Sequence, residues 1–144
     1  MRRTVLALGI VVLALSALPA GAGEQAAAAG QEVVWPADQI VFKEAIPGVS
    51  KAILWGNPEK GAYGSLTRFA KGQRNARHTH SNAIKVVVIS GTFVYDSGAG
   101  EKALGPGSYL LQPAGVKHVS GAGADADCLF FEESDGPFDL HPVE

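Results

Sequence analysis

The sequence predicts an all-β domain, a sandwich or barrel, and three observations carry that prediction. Short runs of β-formers alternate with Gly- and Pro-rich turns along the chain after residue 31. No long window shows a capped apolar period of about 3.6 residues, so no helix is expected. The whole chain has 144 residues, which suits one domain. Strands spaced this closely belong to sandwiches and barrels.

The expected strands can be taken in order. "EVVW" (32–35), "QIVF" (39–42), "KAILW" (51–55) and "GSLTRFA" (64–70) come first, followed by "IKVVVIS" (84–90) and "TFVYD" (92–96). "GSYLLQ" (107–112), "KHVS" (117–120) and "DCLFFEE" (127–133) complete the set. Each is rich in β-branched or aromatic residues. The connectors "IPG", "GNPEKGAYG", "DSGAGEKALGPG" and "SDGP" are turn formers. Between Lys85 and Ser90, valines and an isoleucine occupy both faces, the pattern of a central strand buried on both sides. Ser90-Gly91 then reads as the turn of a hairpin into "TFVYD".

The first residues have another character. Met1-Arg2-Arg3 is basic, Val5 to Leu18 is apolar apart from Ser16, and Ala20-Gly21-Ala22 is a small-residue cleavage site. Those three parts make an export signal peptide over residues 1–22. The apolar run, about 14 residues, is short for a membrane span, although a retained anchor is the alternative. The arginine pair fits twin-arginine export loosely. Residues 23–31, "GEQAAAAGQ", form a tether of small residues, and the domain proper spans 32–144. The expectation is an exported protein, periplasmic or extracellular, with no stable membrane span after signal cleavage.

A formal charge of −2, with no Lys/Arg cluster outside the signal, argues against a nucleic-acid partner. Cys128 is the only cysteine, so no internal disulfide exists. Its setting in "DCLFF" reads as a buried inert thiol, with a reactive thiol or intermolecular bridge as the alternative.

Chemistry enters at "RHTHSNAIKVVVISG" (77–91). On a strand, His78 and His80 point to the same face about 6.6 Å apart, and two imidazoles so placed can converge on one ion. Two ordinary surface histidines are the plainer reading of the pair taken alone. Further along, "GPGSYLLQPAGVKH" fixes Gly107, Pro113, Gly115 and His118 in one frame. These blocks resemble the two motifs of the cupin superfamily: Gly-x5-His-x-His-x3/4-Glu-x6-Gly, and Gly-x5-Pro-x-Gly-x2-His-x3-Asn. Gly72, His78, His80 and Gly91 match the first; Gly107, Pro113, Gly115 and His118 match the second. "ILWGNPEKG", "VISGTF" and "FDLHPVE" resemble small bacterial cupins of undefined function.

The resemblance implies a double-stranded β-helix, the jelly-roll barrel of cupins, with His78, His80 and His118 as metal ligands inside one end. Gly107 and Gly115 suit turns of positive φ, and Pro113 suits a strand end. Two motif residues are missing. Ala122 stands in place of the Asn. The Glu falls on Ile84 or Lys85, depending on the spacing, and neither can replace a carboxylate ligand.

Three readings of that gap stay open. One is a neutral three-histidine site for Fe, Zn, Cu or Ni, with open positions for water, O₂ or an anionic substrate. Another is a degenerate barrel without metal, binding a small molecule or nothing. The last is a substitute ligand from Glu132, Glu133, His141 or Gln112. Lys85 reads as an outward charge with a buried stem, or as a pocket cation. Arg68, Arg74, Arg77 and Tyr109 are candidates for an acidic substrate, against surface placement for the arginines and core packing for Tyr109.

Two function classes follow. One is a metal-dependent enzyme on a small molecule, an oxygenase by resemblance to three-histidine cupins. The other is a metal- or ligand-binding module without turnover. A zinc hydrolase or isomerase ranks third. Short edge strands leave room for a homodimer.

Overall fold

A computed structural model describes residues 32–143. One turn of 3-10 helix, Ala37–Gln39, precedes eleven strands: β1 Lys43–Ile46, β2 Val49–Gly56, β3 Tyr63–Phe69, β4 His78–Thr79, β5 Ile84–Ser90, β6 Phe93–Asp96, β7 Lys102–Leu104, β8 Tyr109–Gln112, β9 Val119–Ala122, β10 Cys128–Ser134 and β11 His141–Pro142. Every ladder is antiparallel. The large sheet runs β1-β2-β3-β10-β5-β8, and a small one runs β7-β6-β9. The β4–β11 pair is joined to the small sheet by bridges from His78 to His118 and from Arg74 to Gly121.

Period-two alternation decides which side chains face inward. Along β10, Cys128, Phe130, Glu132 and Ser134 are buried, while Leu129, Phe131 and Glu133 turn outward. The same parity buries Tyr63, Ser65, Thr67 and Phe69 on β3, and Ile84, Val86 and Val88 on β5. The inner faces of the two sheets meet in one core, with Phe93, Tyr95 and Ala122 of the small sheet packed against Phe69 and Phe130 of the large one. Phe69 stacks on Phe93 at 5.8 Å, and both meet Phe130 edge-on at 4.9 Å. Each buried ring is worth about 1.5–3 kcal/mol of transfer free energy. The inner face then changes character along the strands. Past Phe130 come Glu132 and Ser134, and Ser134 pairs with Ile84, which pairs with Gln112. The apolar residues form the core, and a cavity runs from them to the polar end of the strands.

The all-β class and the double-sheet jelly roll agree with the sequence, and several elements differ. "EVVW" and "QIVF" are not strands. Pro36 has no N–H for a ladder, and its carbonyl instead accepts the Gln39 N–H at 2.9 Å to close the 3-10 turn. The Trp35 indole takes the Leu54 carbonyl on β2 at 2.8 Å. The short strands β1, β7 and β11 were not expected. β5 is buried on one face only: Val87 and Ile89 are 39% and 45% exposed. Together with Tyr109 and Leu111 of β8, they form an apolar band on the outer face. Gly91 does not close a hairpin, because β5 pairs with β10 and β8 while β6 pairs with β7 and β9. The turn carries the chain from one sheet to the other. Among the described residues, no helix is long and apolar enough to cross a membrane. The expected signal (1–22) and tether (23–31) lie outside the described residues.

Candidate metal centre

His78 opens β4, His80 follows it by two, and His118 immediately precedes β9. The backbone does the positioning. His78 and His118 exchange reciprocal N–H to carbonyl bonds, both 2.9 Å, which puts their side chains on one face of an antiparallel pair. Their ring centroids are 4.3 Å apart; His80 lies 4.8 Å from His78 and 5.2 Å from His118. All three are buried, and one ring nitrogen from each lies within 4.8 Å of the others.

The second nitrogen of each ring fixes the tautomer. Nδ1 meets a backbone carbonyl in every case: Ala76 for His78 at 2.6 Å, Asp139 for His80 at 2.5 Å and Val116 for His118 at 2.9 Å. A carbonyl can only accept, so Nδ1 carries a proton, and in the neutral ring Nε2 then carries the lone pair. The Nε2 of His118 is fully buried and has no hydrogen-bond partner. Burial pushes the His118 imidazole down to about 4, with the neighbouring histidines acting in the same sense. Burial, then proximity to His78, also lowers His80 against the opposing pull of the Asp139 carbonyl. Neutral, oriented imidazoles with convergent lone pairs are the donor set that zinc, iron, copper or nickel takes. The residues therefore fit a divalent transition metal.

The expected fourth ligand is absent at position 84. Ile84 faces the cavity and is buried, while Lys85 points outward to Glu133 at 2.9 Å and Asp135 at 3.3 Å. Those two acids, Glu133 first, raise the Lys85 ammonium. Of the substitute candidates, Glu133 is thereby removed. His141 lies at the surface beside Asp139 and Ser81. Gln112 and Glu132 do reach the cavity. Arg68 lies over the Phe42 ring, Arg74 holds the Ala122 carbonyl and Glu101, and Tyr109 is exposed on the outer face. None of these, nor Arg77, lines the cavity, and Tyr109 is not a core residue.

The cavity, about 290 Å³, extends from His78 and His80 along Ile84, Val86, Phe93, Phe130 and Phe138. That is just below the range of about 300–1,000 Å³ for small-molecule pockets. A second polar group, centred on Glu132, which the sequence offered only as a substitute metal ligand, lines the same cavity. Glu132 accepts from Lys51 at 2.6 Å, Tyr63 at 2.5 Å and Thr67 at 3.4 Å. Burial, reinforced by Glu132, pushes the Tyr63 phenol far up, so it stays a donor. Phe138 joins the two centres: its ring lies 5.3 Å from His80 and 3.9 Å from the Lys51 ammonium. Strand parity could have placed Glu132 inside, since it shares the phase of Cys128 and Phe130. Nothing local marks Lys51 or Phe138.

Fold and site together define a cupin, a small double-sheet barrel with a histidine cluster inside. The chain belongs to the ChrR Cupin-like domain family, which matches residues 30–137. No curated protein matches it. Among solved structures, it resembles the polyketide cyclase RemF from Streptomyces resistomycificus at 15% identity, covering 79% of this chain and 87% of that one, with a TM-score of 0.68. A protein of unknown function with a cupin-like fold from Ralstonia eutropha is 21% identical, with 76% of each chain covered and a TM-score of 0.64. A chain of the complex of Rhodobacter sphaeroides SigE with the anti-sigma ChrR is 22% identical over 69% of this chain and 51% of that one, with a TM-score of 0.57. Likeness at these identities establishes the fold, and a fold alone does not choose a reaction.

Proposed function

We propose that His78, His80 and His118 hold a divalent transition metal and that the protein is a metal-dependent oxygenase acting on a small organic molecule in the adjoining cavity. One observation carries the metal: each Nδ1 is committed to a backbone carbonyl, and the buried Nε2 of His118 has no protein partner. A buried acceptor left in that state is unfavourable unless something binds it. Three protein ligands leave coordination positions for O₂ and substrate, and a bound redox-active metal would supply the electron chemistry. The chain's own residues orient the imidazoles and wall the site with apolar side chains that exclude water. Phe138 and Leu140 line the cavity from the C-terminal segment.

Ile84 favours a second reading, a metal- or ligand-binding module without turnover, because no carboxylate stands at the position of the motif's Glu. Elemental analysis of protein purified through its native export route, without tags or added metal, tests the metal. About one equivalent of iron, copper, nickel or zinc is expected from a three-ligand site. Oxygen uptake over a panel of small acids and diketones tests the enzyme. A redox-inactive metal with no substrate-dependent uptake would leave the binding module. We also propose that residues 1–22 direct export. Amino-terminal sequencing of the exported protein should begin at Gly23, and a start at Met1 would favour a retained anchor.

A further inference from the structure

The charge of the cavity is incomplete once the proposed metal is counted. Its three ligands are neutral, each proton on Nδ1 being held by a carbonyl. Glu132 is the one acid among the described residues that line the cavity, and its charge is matched by Lys51 at 2.6 Å. It also accepts from Tyr63 and Thr67, and these bonds hold it in place. Ile84, where a carboxylate would compensate the ion, is an aliphatic wall 4% exposed. A divalent ion beside apolar side chains is strongly disfavoured without a counter-charge.

Gln112 supplies the second observation. It is the cross-strand partner of Ile84 on β8, is 4% exposed and lines the cavity. Among the described residues, nothing hydrogen-bonds its side-chain amide. Its amide therefore opens onto the cavity, where a bound molecule can meet it. Its N–H₂ offers two donors, and its carbonyl oxygen is neutral, so it can orient an anion but cannot replace one.

We propose that the ligand of this site is a small organic carboxylate, which supplies the negative charge that Ile84 withholds and accepts a hydrogen bond from the Gln112 amide. This rests on the metal proposed above. The phenylalanines and Val86 fit an apolar, flat body behind the carboxylate. The inference sets the substrate class as aromatic or branched aliphatic acids small enough for the cavity.

The test uses the exported full chain loaded with Co²⁺, with benzoate and the neutral benzamide of similar shape as probes. Metal content is measured first, then binding by calorimetry and by the cobalt visible spectrum. Benzoate should bind at least about tenfold more tightly than benzamide, and chelation of the metal should remove that preference. Gln112→Leu should keep its cobalt and lose about tenfold in benzoate affinity. Ile84→Glu, carrying its own charge, should hold cobalt and lose the benzoate preference. If Ile84→Glu does not fold, Gln112→Leu decides. Failure to take up cobalt overturns the metal proposal and this one with it. Full cobalt loading with benzoate no tighter than benzamide overturns this one alone. Loss of cobalt from Gln112→Leu would make that residue a metal ligand and overturn its assignment as the donor.

Discussion

Burial moves Cys128 and His118 in opposite directions and leaves both neutral. It pushes the thiol up to about 11 and the imidazole down to about 4. A neutral thiol with no exposed surface is inert, whereas a neutral imidazole is a ligand. Cys128 should therefore react with a disulfide reagent at pH 8 at least about a hundredfold more slowly in the native protein than in guanidinium. Similar rates in both would place the thiol at the surface. Replacing His78, His80 or His118 singly by Ala should abolish stoichiometric metal while the far-UV spectrum stays that of a β-protein. Retention of metal in any one variant removes that residue from the site. At this scale, the sequence was readable where chemistry and spacing coincide. His78 and His80 share a face by strand parity, and His118 was placed by its motif. Lys51 and Phe138 were not readable, because their roles depend on which strands lie beside Glu132 and His80, and only tertiary contact sets that.

Turns separate the elements that the sequence shows from those it hides. Strands buried on at least one face carry β-branched or aromatic runs, so β3, β5, β6, β8 and β10 were legible. β1, "KEAI", is exposed throughout, and β7 sits among glycines; their strand state comes from pairing with β2 and β6 rather than from their own residues. Gly91 looked like a hairpin turn because sequence shows the bend and not the sheet that the next strand joins. Its φ is +73°, and an added Cβ would meet the Asp127 carbonyl oxygen at 2.1 Å and the Cys128 Cα at 2.9 Å. Gly115 has the same φ with open space around it. Gly115→Ala should cost about 1–2 kcal/mol, the left-handed penalty alone. Gly91→Ala adds a backbone clash against β10 and should cost at least about 3 kcal/mol. Denaturant unfolding measures both. Equal costs would mean that the start of β10 gives way.

The proposed metal would act on the whole barrel, because its ligands come from separate parts of the chain. β4 brings His78, the segment after it brings His80, and the approach to β9 brings His118. The C-terminal segment is tied in as well: the Asp139 carbonyl holds His80 Nδ1, the Asp139 carboxylate caps the Ser81 N–H at 2.8 Å, and β11 pairs with β4. An ion bound only by the folded chain stabilises it by mass action, about 2.7 kcal/mol at a hundred times its Kd. For a domain of this size, that is a rise in Tm on the order of 10 °C. The metal-free protein should melt lower by that amount and recover on addition of Zn²⁺. His118→Ala should melt at one temperature with or without zinc. A zinc-dependent rise in His118→Ala equal to that of the unaltered protein would mean that the stabilising ion sits elsewhere. If neither protein responds, the three imidazoles do not bind zinc at the concentrations tried, and the barrel is held by its phenylalanine core and the Lys51–Glu132–Tyr63 group alone.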